Sequence, residues 1–242
     1  MNLKDKITNY IRKQSFAPGI TGLFVNPFFF IRRALFLNIK SMAPELSGKL
    51  LDFGCGRKPY EQLFTVDQYI GIDLEETGHE HTLSKVDVYY DGQTIPFPDE
   101  HFDSIFCSEV FEHIFNLNEI LIEIKRVLKK EGKILITVPF CWHEHEVPYD
   151  FGRYTSFGIK SILEKNGFEI IHNKKSGNFI KVNFQLWALY FHSIISLKQK
   201  GLSFIIKMIF IIPINILGSI FSPFFPKDST LYFNNIVLAK KQ

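Results

Sequence analysis

Cysteine is scarce: Cys55, Cys107 and Cys141 are an odd number without paired spacing. That excludes a secreted disulfide framework, offers no zinc pattern and suits a reducing cytoplasm. A secretory h-region is missing as well. Met1–Lys13 is polar, and the apolar Phe28–Phe30 runs into Arg32 and Arg33, so no cleavable leader and no export are expected. There is no internal repeat and no low-complexity tract. Tryptophan occurs twice against 26 phenylalanines, more apolar aromatic surface than one small core needs. With 46% hydrophobic and 22% charged residues, the 242-residue chain is neither disordered nor collagen-like, and fits one large domain or a domain with a long appendage.

Acidic residues are nearly missing from the flanks. Residues 1–47 carry seven Lys and Arg against two Asp and Glu, residues 48–173 carry 12 against 22, and residues 174–242 carry nine against one. Basic flanks that are also rich in Phe and Ile suit an anionic membrane surface better than nucleic acid, whose binding segments are polar between their cations. Met208–Pro226 is uncharged and just long enough for a thinned bilayer. Pro213, Asn215, Gly218, Pro223 and Pro226 make it a poor spanning helix, and short helices folded back on themselves are expected.

Residues 1–47 read as helical pieces separated at Pro18-Gly19, Asn26-Pro27 and Pro44. From Lys49 the pattern changes. Lys49–Phe53, Gln68–Leu74, Phe102–Cys107 and Lys133–Val138 are short apolar runs that predict buried strands. Leu117–Lys129 has apolar residues at helical spacing, with Asn116 as a cap and Gly132 as a stop, and Thr155–Asn166 predicts another helix before a strand at Phe168–His172. Residues 180–226 are apolar and helical in tendency, and Leu231–Ala239 predicts a last strand. Alternating strands and helices imply a doubly wound, mainly parallel α/β sheet.

The sharpest chemical signal is Leu50-Leu51-Asp52-Phe53-Gly54-Cys55-Gly56, followed 17 residues after Gly56 by Asp73 at the tip of the next strand. Glycines at a strand-to-helix turn let backbone approach a ligand, and an acid at the second strand's tip accepts both hydroxyls of a ribose. A dinucleotide site needs a third glycine to seat a pyrophosphate, whereas Arg57-Lys58-Pro59-Tyr60 follows here. The site is therefore of nucleoside type. Asp91, with Gly92 beside it, stands in a loop before a strand, where a carboxylate can accept from an adenine amino group.

With LDFGCG, GID, IPFPDEHFD, SEVFEHI, LIEIKRVLKKEGK, ILITVPF and NGFEII in this order over about residues 48–172, the chain resembles the class I S-adenosylmethionine-dependent methyltransferases, in particular their type 11 small-molecule methyltransferase domain. The resemblance implies a Rossmann-like sheet ending in an antiparallel hairpin, with an apolar helical insertion before the last strand. It implies that Asp52, Gly54 and Gly56 line the methionine part of S-adenosyl-L-methionine, that Asp73 holds the ribose, that Asp91 and Gly92 meet the adenine, and that Ser108 and Glu109 flank the sulfonium. Arg57-Lys58-Pro59 departs from the small residues common there.

Glu109, Glu112 and His113 lie on one face of a helical turn and, with His143 or His145, form a set that can hold a divalent metal. The resemblance extends to members that use such an ion, among them quinone and small-RNA 2′-O-methyltransferases. Glu-His at this place is nevertheless widespread in the family without metal, so no metal is expected. The segment from Trp142 to Thr155 follows the fourth predicted strand, at the edge where open α/β folds bind ligands. Its His-x-x-Pro-x-Asp-x-x-Arg-Tyr-Thr pattern resembles methyltransferases encoded with glycan-assembly enzymes.

The resulting expectation is methyl transfer to an oxygen or nitrogen of a small-molecule, glycan or lipid-linked acceptor. His113, His143 and His145 are the candidate bases, and Tyr149, Arg153 and Tyr154 the candidate substrate contacts. The alternatives are a metal-assisted O-methyltransferase acting on a quinone or RNA hydroxyl, and a non-catalytic, membrane-associated protein that kept the cofactor fold. Domain boundaries are expected at 47/48, 179/180 and 227/228, with 180–227 covering the pocket or making peripheral contact with the inner face of the cytoplasmic membrane, and with no nucleic-acid partner.

Overall fold

The computed structural model describes residues 3–75, 85–195 and 197–242. The chain divides into two compact units, residues 38–175 with 234–242, and residues 1–37 with 176–233. Residues 1–37 of the N-terminal helical segment and the apolar insertion thus belong to one unit, and residues 38–47 to the other.

The first unit is built on β1 (Lys49–Phe53), β2 (Gln68–Leu74), β3 (Val88–Tyr90), β4 (Phe102–Ser108), β5 (Leu128–Pro139), β6 (Phe168–Lys175) and β7 (Asn234–Lys241), in the sheet order β3-β2-β1-β4-β5-β7-β6. The strands from β3 to β5 are parallel, and β7 runs antiparallel between β5 and β6. This is the expected Rossmann-like sheet with its antiparallel end. Its central strands read as continuous apolar runs because both of their faces are covered. Leu51, Phe53, Ile105, Cys107, Ile134 and Ile136 all point into one core.

That core is closed by α4 (Leu117–Val127) and α5 (Ser156–Lys165). Leu117, Ile120, Leu121, Ile124 and Val127 form the buried stripe of α4. The helix stops two residues short of the sequence expectation, and Gly132 lies inside β5 rather than ending the helix. Leu128 is fully buried and pairs with Phe102, so the core itself turns the chain into the strand. The start of α5 is capped as Thr155 Oγ1 accepts from Gly158 N at 3.0 Å.

Where a doubly wound fold usually places a helix between its first two strands, only a turn of 3₁₀ helix, Glu61–Leu63, is present. Lys58 explains why. It adopts a φ of +50°, and its buried ammonium pairs with Asp87 and lies 5.4 Å from the centre of the Tyr69 ring. Asp87 Oδ2 also accepts from Gly71 N at 2.7 Å. The Arg57-Lys58-Pro59 departure is therefore an internal ion pair that ties the first crossover to β2 and to the chain just before β3.

In the second unit, α1 (Leu3–Phe16), α2 (Gly22–Val25) and the start of α3 (Phe29–Met42) pack with α6 (Phe179–Ile194) and α7 (Lys200–Phe221). Buried amides join them. Gln185 Oε1 accepts from Phe30 N at 3.0 Å and Ile31 N at 3.3 Å, and its Nε2 donates to Pro27 O at 2.8 Å. Asn215 Nδ2 donates to Leu23 O and Asn26 O, both at 3.1 Å.

Contrary to the expected short helices, α7 runs unbroken through Pro213 and Gly218. Pro213 sits on its exposed side. Gly218 serves close packing, since a Cβ there would lie 2.6 Å from Phe30 Cζ. Among the described residues, Gly201–Phe224 is the one helical stretch long and apolar enough to cross a membrane, and 22% of its most apolar 18-residue part is buried.

Gly71 tests the crossover. A Cβ there would lie 2.5 Å from Lys58 Cε and 2.6 Å from Cys55 Sγ. Gly71→Ala is expected to lower unfolding free energy by about 1–3 kcal/mol through overpacking, read as a drop in the urea midpoint at unchanged m-value.

Candidate active site

The glycine turn lies at the carboxyl end of β1. Gly54 has a φ of +74°, and a Cβ there would fall 2.4 Å from Val110 Cγ2, so only glycine admits this crossing. Its neighbour Gly56 has a φ of +48° and, among the described residues, nothing within 4 Å of where a Cβ would stand. Open space over a backbone turn is what a ligand approaching the main chain needs. Asp73 closes the turn from the tip of β2, Oδ2 accepting from Gly56 N at 2.8 Å and Oδ1 from Leu74 N at 2.9 Å.

Asp52 is buried, and its Oδ2 accepts from Tyr69 Oη at 2.6 Å. Burial pushes its carboxyl up to about 7, against the pull of that hydrogen bond and of Lys58. Asp91 Oδ1 accepts from Gln93 N at 2.8 Å and Thr94 N at 2.9 Å, which lowers its pKa and shapes the loop around Gly92, whose φ is +83°.

At the end of β4, Ser108 Oγ lies 2.8 Å from Thr137 Oγ1, which donates to Glu109 Oε1 at 2.8 Å. Asn234 Nδ2 donates to Glu109 Oε2 at 2.8 Å. Glu109 itself has a φ of +57°, so β4, β5 and β7 together fix an otherwise disfavoured conformation.

Next to it lies a group of chemically open atoms. Glu112 is 0% exposed, and neither carboxylate oxygen accepts a hydrogen bond. Burial foremost, then the nearby Glu109, raises its pKa well above the usual carboxylate range. His113 Nδ1 lies 2.7 Å from Tyr149 O, so it donates there and leaves the lone pair at Nε2, which has no hydrogen-bond partner. That Nε2 is 3.8 Å from Glu112 Oε1 and 3.6 Å from Glu146 Oε1. The His145 ring centre is 4.9 Å from that of His113. Burial, with His113 as a neighbour, lowers the His145 pKa. Glu112, His113 and His145 each offer a donor atom within 4.8 Å of the others, a spacing that can hold a metal ion.

Asp150 and Arg153 position this group. Asp150 Oδ2 accepts from His145 N at 2.9 Å and lies 3.2 Å from His145 Nδ1, and Arg153 Nη2 donates to the same oxygen at 2.6 Å. Arg153 also donates to Gly152 O at 2.8 Å and His143 O at 3.0 Å. Its guanidinium is thus engaged within the loop, whereas the sequence offered it as a substrate contact. Phe151 N and Gly152 N donate to Glu112 O at 2.7 and 3.2 Å and dock the loop.

His143 is exposed on that loop, with its pKa lowered foremost by partial burial. The Tyr149 side chain is exposed, and Tyr154 packs on the core while its carbonyl accepts from Asn235 Nδ2 at 2.7 Å. Sequence reading passed over Thr137, Asn234 and Asp150. Asp150 stands inside the loop pattern that had been singled out, but nothing local marks Thr137 or Asn234, which meet Glu109 only through the sheet.

Asp52 sets a pH dependence. Its folded pKa of about 7 lies above its ordinary 3.8, so the folded state holds the extra proton and this group's contribution to stability falls as pH rises between those values. Asp52→Asn is expected to flatten that part of the stability-pH curve, measured by urea unfolding from about pH 4 to pH 7.

Comparison with known proteins agrees with this geometry. Residues 51–136 match the family described as a methyltransferase domain. An uncharacterized methyltransferase of Bacillus subtilis, YcgJ, is 27% identical over 128 residues, 47% of this chain and 47% of that protein. The chain spans about half the length of the curated relatives it matches. Among solved structures, phosphoethanolamine N-methyltransferase 2 of Haemonchus contortus in complex with S-adenosyl-L-methionine aligns with a TM-score of 0.54 at 19% identity, over 91% of this chain and 55% of that one. The [4+2]-cyclase SpnF aligns at 0.54 and 19%, over 87% and 81%. Residues 51–136 accordingly match a methyltransferase domain, and the unit of residues 38–175 with 234–242 that contains them has the fold of the solved S-adenosylmethionine-dependent methyltransferases.

Proposed function

We propose that the chain methylates a hydroxyl of a glycan or lipid-linked acceptor, within the broader class of oxygen and nitrogen acceptors on small molecules. The observation that carries this reading is the His113 imidazole, fixed by Tyr149 O with its Nε2 lone pair unengaged at the carboxyl edge of the sheet. When bound, S-adenosylmethionine supplies an electrophilic methyl group. The open turn at Gly56 fits its methionine part and the carboxylate of Asp73 its ribose.

A hydroxyl is a weak nucleophile until a base draws off its proton. His113 Nε2 takes that proton, and the imidazolium formed is stabilised by Glu146 at 3.6 Å. His145, oriented by Asp150, is the neighbouring imidazole able to share the task. The loop from 142 to 155 holds both rings in place and limits water at the site. The basic, apolar residues 174–242 favour an acceptor carried at a lipid surface, and a cytoplasmic location on the inner face of the membrane.

A second reading rests on Glu112. A buried carboxylate with no hydrogen-bond partner, beside two imidazoles whose Nδ1 atoms face fixed oxygens, is also how a protein prepares a divalent-ion site that polarises a hydroxyl, as on a quinone or ribose. On the first reading, turnover survives exhaustive dialysis against chelator. Loss of turnover that Mg²⁺ or Mn²⁺ restores would establish the second.

Cofactor binding is tested at Asp73. Asp73→Ala is expected to weaken S-adenosylmethionine binding by calorimetry at least about tenfold, since charge-assisted hydrogen bonds are worth roughly 1.5–3 kcal/mol each. Asp73→Asn keeps an acceptor for Gly56 N and controls for loss of the turn; affinity within about threefold of the parent for both variants would remove the ribose assignment.

A further inference from the structure

We propose that the unit formed by residues 1–37 and 176–233 is a monotopic membrane anchor, with the outward face of α7 sunk into one leaflet of an anionic bilayer. This deepens the lipid-linked acceptor reading, and its test needs no turnover.

The observation is an inverted helix. The side of α7 that packs on protein includes Ser203, Asn215, Gly218 and, just beyond the helix, Ser222, with Met208 and Ile211 as its buried large apolar members and Ile212 and Ile214 partly buried beside them. The side that faces outward carries Phe204, Ile205, Ile209, Leu217, Ile220 and Phe221. A helix in water does the reverse. Small residues and hydrogen-bonding amides between helices, with large apolar side chains outside, are the pattern of helices solvated by lipid. Asn215 donates to Leu23 O and Asn26 O in that inner seam. On α6, exposed Trp187 and Tyr190 have the amphipathic rings that sit at headgroup depth.

Charge identifies the occupant. There is no acidic residue between Glu169 and Asp228, while Lys181, Lys198, Lys200, Lys207 and Lys227 lie there. A second copy of this face would bring lysines against lysines with nothing to pair them. Anionic headgroups supply the missing countercharge.

The sheet decides against a crossing. β6 ends at Lys175 and β7 begins at Asn234, and Lys175 pairs with Asn235, so the segment between them leaves and rejoins the sheet at one place. Any crossings must therefore come in pairs. α7 has the length, but α6 has 16 residues, about 24 Å, and carries Lys181, Asn183, Gln185 and His192, too short and too polar for the return through about 30 Å of hydrocarbon. The remaining arrangement is α7 lying within one leaflet.

The test is flotation of the full chain with phosphatidylcholine vesicles, with and without phosphatidylglycerol. The parent is expected to float with the anionic vesicles, less so at high salt but still measurably. Ile209→Glu with Leu217→Glu, both on the exposed side, is expected to lower the floated fraction at least about tenfold while leaving S-adenosylmethionine affinity and thermal unfolding unchanged. Lys207→Gln is expected to weaken partition about fivefold. A parent that stays at the bottom with both vesicles, whether monomeric or self-associated, or a double variant that floats like the parent, overturns the proposal. Labelling of a Gln242→Cys variant, in a Cys141→Ser background, by an impermeant reagent from outside intact cells would overturn it in favour of a crossing.

Discussion

The structure turns on one strand arriving late in the sequence. β7 inserts antiparallel between β5 and β6, so residues 234–241 complete a sheet whose other strands end at 175. Two consequences follow. Asn234 reaches Glu109 and Asn235 reaches the Tyr154 carbonyl, which makes the edge that carries the candidate site dependent on the last strand. The 58 residues between β6 and β7 must also begin and end at adjacent points of the sheet, whatever they do in between. Without β7, β6 would lose its one partner in the sheet and β5 would become an open edge.

The site concentrates electrostatic cost. Glu112 is buried without a hydrogen bond, near Glu109 and below a loop held by the Asp150 and Arg153 pair. A carboxylate so placed either keeps its proton or waits for a cation. The orienting bonds to the two imidazoles come from adjacent residues of one loop, a carbonyl at Tyr149 and a carboxylate at Asp150, and the same loop docks on the 3₁₀ turn at Phe111–His113 through Phe151 N and Gly152 N. This couples the order of the loop to the geometry of both rings.

Much of the sheet was legible because its strands are buried on both faces and read as unbroken apolar runs: Lys49–Phe53 and Gln68–Leu74 were found with their ends intact. β3 was not, since three half-exposed residues, Val88–Tyr90, carry no such run. The end of α4 was misplaced because burial of Leu128 outweighs a glycine signal four residues on. Pro213 and Gly218 were read as breakers; in α7 one faces outward and the other admits Phe30 and Phe184. In the site, the glycine turn and Asp73 follow from spacing along one chain segment. The supports of Glu109 do not, because Thr137 and Asn234 come from strands remote in sequence.

The division of charge gives the two units opposite chemical preferences. S-adenosylmethionine carries a positive sulfonium, and the product left after methyl transfer does not. Burial raises the pKa of Asp52 and Glu112, which lowers the negative charge that these two carboxyls bring to the site. The other unit, residues 1–37 with 176–233, carries 11 Lys and Arg against two Asp and Glu, so the acidic character of the chain is confined to the unit that holds the sheet.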